Sequence, residues 1–176
     1  HSRIRAYKKA GVNVDVFRIS NDAGNPYREF EDIDVVSGSA SLLDATLRNG
    51  QYTHVLVHLI DENMWGVLKK YVHLLRITVW VHGAEIQVWQ RREFEFELMN
   101  KEEVTRQKKL SDKRVKLWKE IFSQENKNLH FVFVSQYFAD ESIKDIGVTL
   151  DKSFYSVIHN FIDNNIFKYN PKSVED

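Results

Sequence analysis

Five apolar runs end in a residue able to handle a proton or a hydroxyl. HVLVH ends on His58, ITVWVH on His82, HFVFVS on Ser135 and YSVIH on His159, while DVVS ends on Ser37. Gly83 follows His82 directly, and a glycine there lets the backbone turn sharply and a ligand come close. A histidine is a residue able to accept or donate a proton near neutral pH, so His82 has two readings. It exchanges a proton with a ligand or hydrogen-bonds a sugar hydroxyl, or it caps the strand by bonding a loop carbonyl. His58 stands at the equivalent place one strand earlier, and there the capping reading is favoured. His54 and His130 begin their strands and are expected at the surface, at the opposite end of the sheet.

Two acidic spacings are also candidates. His58 with Asp61 and His82 with Glu85 share one spacing and are candidates to converge on a metal, although zinc and iron sites show tighter clusters. Asp32 and Asp34 form an Asp-x-Asp pair (EDID) of the kind that binds a divalent cation. It precedes a strand, at the wrong end of the sheet, which favours a solvated strand start. No GxGxxG or Walker glycine loop is present, which counts against dinucleotide dehydrogenases, the usual methyltransferases and P-loop NTPases.

The elements that would position these residues follow from periodicity. A helix ends at Ala10, before Gly11. Strands are expected over 12–19, 34–37, 54–58, 77–82, 130–135 and 155–159. Helices are expected over 41–48, 63–72 and 136–146, with one or two more in 87–124. Apolar strands alternating with helices indicate parallel pairing with both faces covered. The fold class is therefore α/β, an open doubly wound, mostly parallel sheet, in which ligands bind at the carboxyl ends of the strands.

Composition narrows the function classes. The chain has 176 residues, 43% of them apolar, with 25 basic and 25 acidic side chains. That suits one packed domain, over 1–159, followed by a polar linker over 160–176. Zero formal charge argues against a nucleic-acid partner. The chain has no cysteine, which excludes disulfides and thiolate sites and fits a reducing, cytoplasmic setting. No apolar run reaches membrane-spanning length, and no secretory signal opens the chain. Arg106 to Phe122 is basic and amphipathic. It reads either as a helix on anionic lipid headgroups, giving peripheral membrane attachment, or as a surface helix whose Val115, Trp118 and Phe122 stripe packs on the sheet.

The segment order resembles the N-terminal, acceptor-side domain of family 4 retaining glycosyltransferases of the two-domain GT-B type. GVNVDVF (11–17) resembles that family's helix-ending glycine and following strand. THVLVHL (53–59) and ITVWVHGAE (77–85) resemble its next strands, the second ending in His-Gly. FVFVSQYFADESIKDIG (131–147) resembles its Val-Ser strand and helix, and VIHNFIDNNIF (157–167) its segment leading into the second domain. The resemblance covers Gly11 to Phe167.

It implies two facing Rossmann-like domains, with a nucleotide sugar held by the C-terminal one and a glycan or lipid-linked acceptor by this one. It implies transfer with retention and no metal cofactor. His82 would contact the reacting sugars, with Gly83 shaping its loop. His58 and Ser135 would line the cleft, and Asn160 would begin the interdomain segment. Three departures accompany it. The family's opening strand and Gly-Gly loop lie outside these residues, and losing that central strand would expose two strand edges. His159 and Phe161 replace a proline and a glycine, and Phe161 does not easily adopt positive φ. The donor domain is not included, so the chain is expected to be an inactive piece of the enzyme. The competing expectation is a free-standing, non-catalytic carbohydrate- or nucleotide-binding α/β module.

Overall fold

A computed structural model describes residues 2–20 and 26–160. The linker expected over 160–176 and the substitution at Phe161 lie outside the described residues, apart from Asn160 itself. The chain runs α1 (Ser2–Lys9), β1 (Val16–Ile19), β2 (Tyr27–Glu29), β3 (Asp34–Gly38), α2 (Ala40–Asn49), β4 (His54–His58), α3 (Glu62–Leu68) and β5 (Arg76–Val81). A 3-10 segment (Trp89–Leu98) leads into α4 (Lys101–Phe122), β6 (Leu129–Phe133), α5 (Gln136–Ile146), a short 3-10 turn and β7 (Tyr155–Val157).

The architecture is Rossmann-like open α/β, but its strands form two sheets rather than one. The first has order β1-β3-β2, with β1 and β3 parallel and β2 antiparallel. The second is all parallel, with order β4-β5-β6-β7. The open, mostly parallel α/β class is as expected, and the two sheets are separate because β1 and β4 form no ladder with each other.

Caps explain where the helices begin and end. Ser39, Asp61, Asn100 and Ser135 each accept a backbone N–H from the first turn of α2, α3, α4 and α5, satisfying an otherwise orphaned donor. Asn100 and Glu103 form a reciprocal capping box. Gly147 closes α5 at φ +71, a left-handed position that suits glycine. No helix among the described residues is long and apolar enough to cross a membrane.

One face of the two central strands of the second sheet is fully buried. Ile77, Val79 and Val81 of β5 and Phe131 and Phe133 of β6 pack against Trp65 and Leu68 of α3 and Trp118, Ile121 and Phe122 of α4. The stripe of α4 thus packs inward, on the sheet. The other face is less covered: Thr78, Trp80 and His130 are half-buried.

His130 corrects the expectation of a surface histidine. It is half-buried, and its Nε2 lies 3.1 Å from Ser156 Oγ, because β7 lies alongside it. Burial pushes its imidazole below the ordinary value of 6.5. The unfolded chain therefore binds this proton more readily than the folded one. His130 contributes stability above about pH 6.5 that is lost as the pH falls through its lowered folded value. Urea midpoints measured at about pH 7.5 and about pH 5.5 should fall toward acid, and His130→Gln should flatten that slope.

Candidate functional site

The carboxyl ends of β4 and β5 bring His58 and His82 together. His58 Nδ1 and His82 Nε2 are 2.9 Å apart, with ring centroids 5.1 Å apart. His58 also stacks on Trp80, with centroids 5.0 Å apart and planes at 28°. His58 Nδ1 is thus within hydrogen-bond reach of another imidazole. The register His58↔Trp80 sets the contact by placing both residues on one row of the sheet.

A hydrogen bond between two neutral imidazoles has a chemical consequence. One proton sits between Nδ1 of His58 and Nε2 of His82. If His58 donates, its Nε2 is an acceptor and His82 Nδ1 carries a proton; if His82 donates, both roles reverse. Either way, Nδ1 of His82, the nitrogen turned away from the bond, is a donor in one arrangement and an acceptor in the other. His82 is exposed, whereas His58 is half-buried.

The backbone turns sharply just beyond each histidine. Leu59 has φ +56 and Gly83 has φ +123, so both strands leave the sheet through the left-handed region. Leucine is strained there, and such strain gathers at functional sites. Gly83 is buried, and a Cβ built on it would meet Phe138 Cζ of α5 at 3.8 Å. There is room for the atom but not for the backbone angle. Gly83→Ala should therefore cost about 1–3 kcal/mol, read as a lower denaturant midpoint.

The loop carrying His82 is held from two sides. Glu85 Oε1 accepts the backbone N–H of His82 at 2.5 Å, and the N–H groups of Ile86 and Gln87 both donate to Gly83 O. From α4, Arg114 Nη1 donates to Ala84 O and Trp118 Nε1 donates to Glu85 O, each at 2.6 Å. Glu85 Oε2 and Arg114 Nε are buried without a hydrogen bond among the described residues. Burial lowers the Arg114 guanidinium from its ordinary value, Arg92 adds to this, and Glu85 and Glu95 oppose it. Sequence reasoning treated Glu85 only as a metal candidate and Arg114 only as one charge of a basic helix. The signal available for Glu85 was its spacing three residues after His82, the reach of a carboxylate onto a turn N–H.

The remaining candidates are placed as follows. Ser135 caps α5, its Oγ accepting the N–H of Phe138 at 3.1 Å. It therefore orients the helix whose Phe138 faces Gly83. His159 lies with its Nδ1 2.9 Å from Val134 O, and Asn160 is exposed beyond β7. Asp61 is spent on the cap of α3 and Glu85 on the N–H of His82, so the two spacings do not converge on a shared ion. Among the described residues no group of three or more such side chains is gathered to hold a metal. Asp32 pairs with Lys8 at 2.6 Å, and Asp34 accepts from Tyr27 Oη at 2.8 Å. The EDID pair is thus a set of surface contacts at a strand start. In comparisons with known proteins, no family model, no curated protein and no solved structure matches this chain.

Proposed function

We propose that this chain is the acceptor-side domain of a retaining glycosyltransferase of GT-B type, which moves a sugar from a nucleotide sugar to a glycan or lipid-linked acceptor. The observation that carries the reading is the His58–His82 pair at the carboxyl ends of adjacent parallel strands. That is where open α/β sheets bind ligands. The second ring nitrogen of the exposed His82 suits a sugar hydroxyl, which both donates and accepts. His82, the exposed member, contacts the reacting sugars, and Gly83 gives its loop the turn it needs. The nucleotide sugar is a co-substrate held by a second domain, and no metal cofactor is required.

The basic side of α4 suits attachment to an anionic membrane. Lys101, Arg106, Lys109, Leu110 and Lys113 line an open groove on that helix. With the Trp118 and Phe122 stripe turned inward, the contact would be electrostatic and salt-sensitive.

Reading the native frame on both sides of His1 and Asp176 tests the transferase proposal. A downstream α/β domain with a basic pair and a glutamate motif supports it. A frame that ends near Asp176 overturns it, and leaves a carbohydrate- or nucleotide-binding module as the better account.

A further inference from the structure

The two halves of α4 differ in what covers them. Its buried side chains, Ser111, Leu117, Trp118, Ile121 and Phe122, all lie in the carboxyl half. Lys101 to Leu110, about 15 Å of helix, has no buried residue. A helix that short is marginal in water without packing. The 3-10 segment ahead of it covers one side: Trp89 stacks on Phe96, and Lys108 Nζ lies 3.9 Å from the centre of the Trp89 ring. On the outward side Lys101, Glu102, Arg106, Lys109, Leu110 and Lys113 line an open groove, and each of them is exposed. Just ahead of the helix, Phe94 is 70% exposed and Leu98 98%.

The charges along this stretch are sorted. Glu93, Glu97, Glu102 and Glu103 stand at its amino end, and Arg106, Lys109, Lys113 and Lys116 follow toward the middle of the helix. None of these joins an ion pair among the described residues. Glu102 and Lys109 lie two helical turns apart, so they share one face. A face sorted in this way is complementary to its own reverse. Laid antiparallel, the acidic end of one copy meets the basic stretch of the other, which is the arrangement a two-fold axis produces.

We propose that the outward face of the amino half of α4 is a self-association surface, and that its occupant is a second copy of this chain packed antiparallel. A two-fold axis between Thr105 and Arg106 sets Glu102 opposite Lys109 of the second copy, and Lys109 opposite its Glu102. The same register lays Leu98 against the apolar stem of the other Lys113, and Leu110 over the first turn of the other helix. Charge selects this occupant. An anionic lipid surface attracts the basic stretch but repels the glutamates at the amino end, whereas a second copy satisfies both. The dimer covers the basic groove, so self-association and membrane attachment are alternative uses of one face. One helix face per copy is a small interface, which places association in the range of roughly 10–1,000 μM. Exposed ion pairs make it weaker in high salt. The proposal does not depend on the sugar chemistry.

Sedimentation velocity of the full chain without lipid, from roughly 10 μM to 1 mM, provides the test. The unaltered chain should pass from monomer to dimer over that range. Glu102→Lys or Lys109→Glu alone sets like charges against each other at two symmetry-related places, and should weaken Kd about tenfold or more. The double variant exchanges the two charges and should return Kd to within about threefold of the unaltered chain. Leu98→Asp should also weaken association while leaving the melting temperature unchanged, because that side chain is exposed. Circular dichroism checks that each variant stays folded. Three results overturn the proposal: a monomer at every concentration, single reversals that leave Kd unchanged, or a double variant no tighter than the singles. A chain that is always monomeric yet binds anionic vesicles gives this face to the membrane instead.

Discussion

Under the proposed transferase function, His82→Ala in the full-length protein should lower the transfer rate by roughly a hundredfold to ten-thousandfold, the contribution of a positioned proton-transfer group. In that proposal the reduction falls on kcat, because the ring would serve a proton that moves only in the transition state. Single-turnover kinetics with saturating acceptor measures it directly. A loss well under a hundredfold, with KM raised instead, assigns His82 to holding the sugar. A normal rate removes it from the site. His58→Phe keeps an aromatic ring against Trp80 but deletes the nitrogen facing His82, so it separates stacking from proton handling. With the relay intact, the pH profile of kcat reports the pair rather than either ring.

Trp118→Ala has the largest expected effect on stability. The indole is fully buried, lies against Phe122 and Phe131, and donates its N–H to Glu85 O. Removing a buried Trp side chain costs about 3–5 kcal/mol. At about 2–4 °C per kcal/mol for a domain of this size, the melting temperature should fall by roughly 6–20 °C. Trp118→Phe keeps much of the packing but strands the Glu85 carbonyl, for about 1–3 kcal/mol. Thermal unfolding followed by circular dichroism distinguishes the two. A drop below about 2 °C for Trp118→Ala, less than one kcal/mol on the same scale, contradicts the seating of α4 on the sheet. The same indole holds the loop of His82, so this substitution tests stability and site geometry together.

What the sequence made legible divides along physical lines. The second sheet was readable because its strands are short apolar runs between good helix signals. Ser135 and Gly147 marked the ends of α5 by cap chemistry that depends only on local residues. β1 was expected from Val12 but begins at Val16, because its register with β3 opens at Val16↔Val35. Val12 and Val14 favour strand geometry, yet with no neighbour to pair with, propensity alone does not make a strand. β2 was missed for the converse reason. Tyr27, Arg28 and Glu29 carry no apolar pattern and are all exposed, and pairing with β3 makes the strand.

At the site, the sequence marked both histidines by their place at strand ends but not their mutual bond. That bond depends on register, and register is a property of two strands at once. Leu59 was invisible as a turn residue, since nothing in a leucine announces a positive φ. The α3 boundary moved for a local reason. The helix was expected to run to Val72 but stops at Leu68, and the backbone then tightens through Lys70 and Tyr71 into successive turns.

The order β4-β5-β6-β7 also bears on how the chain acquires its structure. Each strand of that sheet joins the one formed just before it, so assembly needs only the closure of one connection at a time. Loop-closure entropy is met in small steps, and topologies of this type fold faster than those built on distant pairings. The sheet of β1, β3 and β2 shares no ladder with it and contributes few of the fully buried side chains. The molecule therefore has a natural order of events. The 54–157 block can assemble and remain assembled while the first sheet opens and closes, so local openings between β1 and β3 are cheaper than openings between β5 and β6.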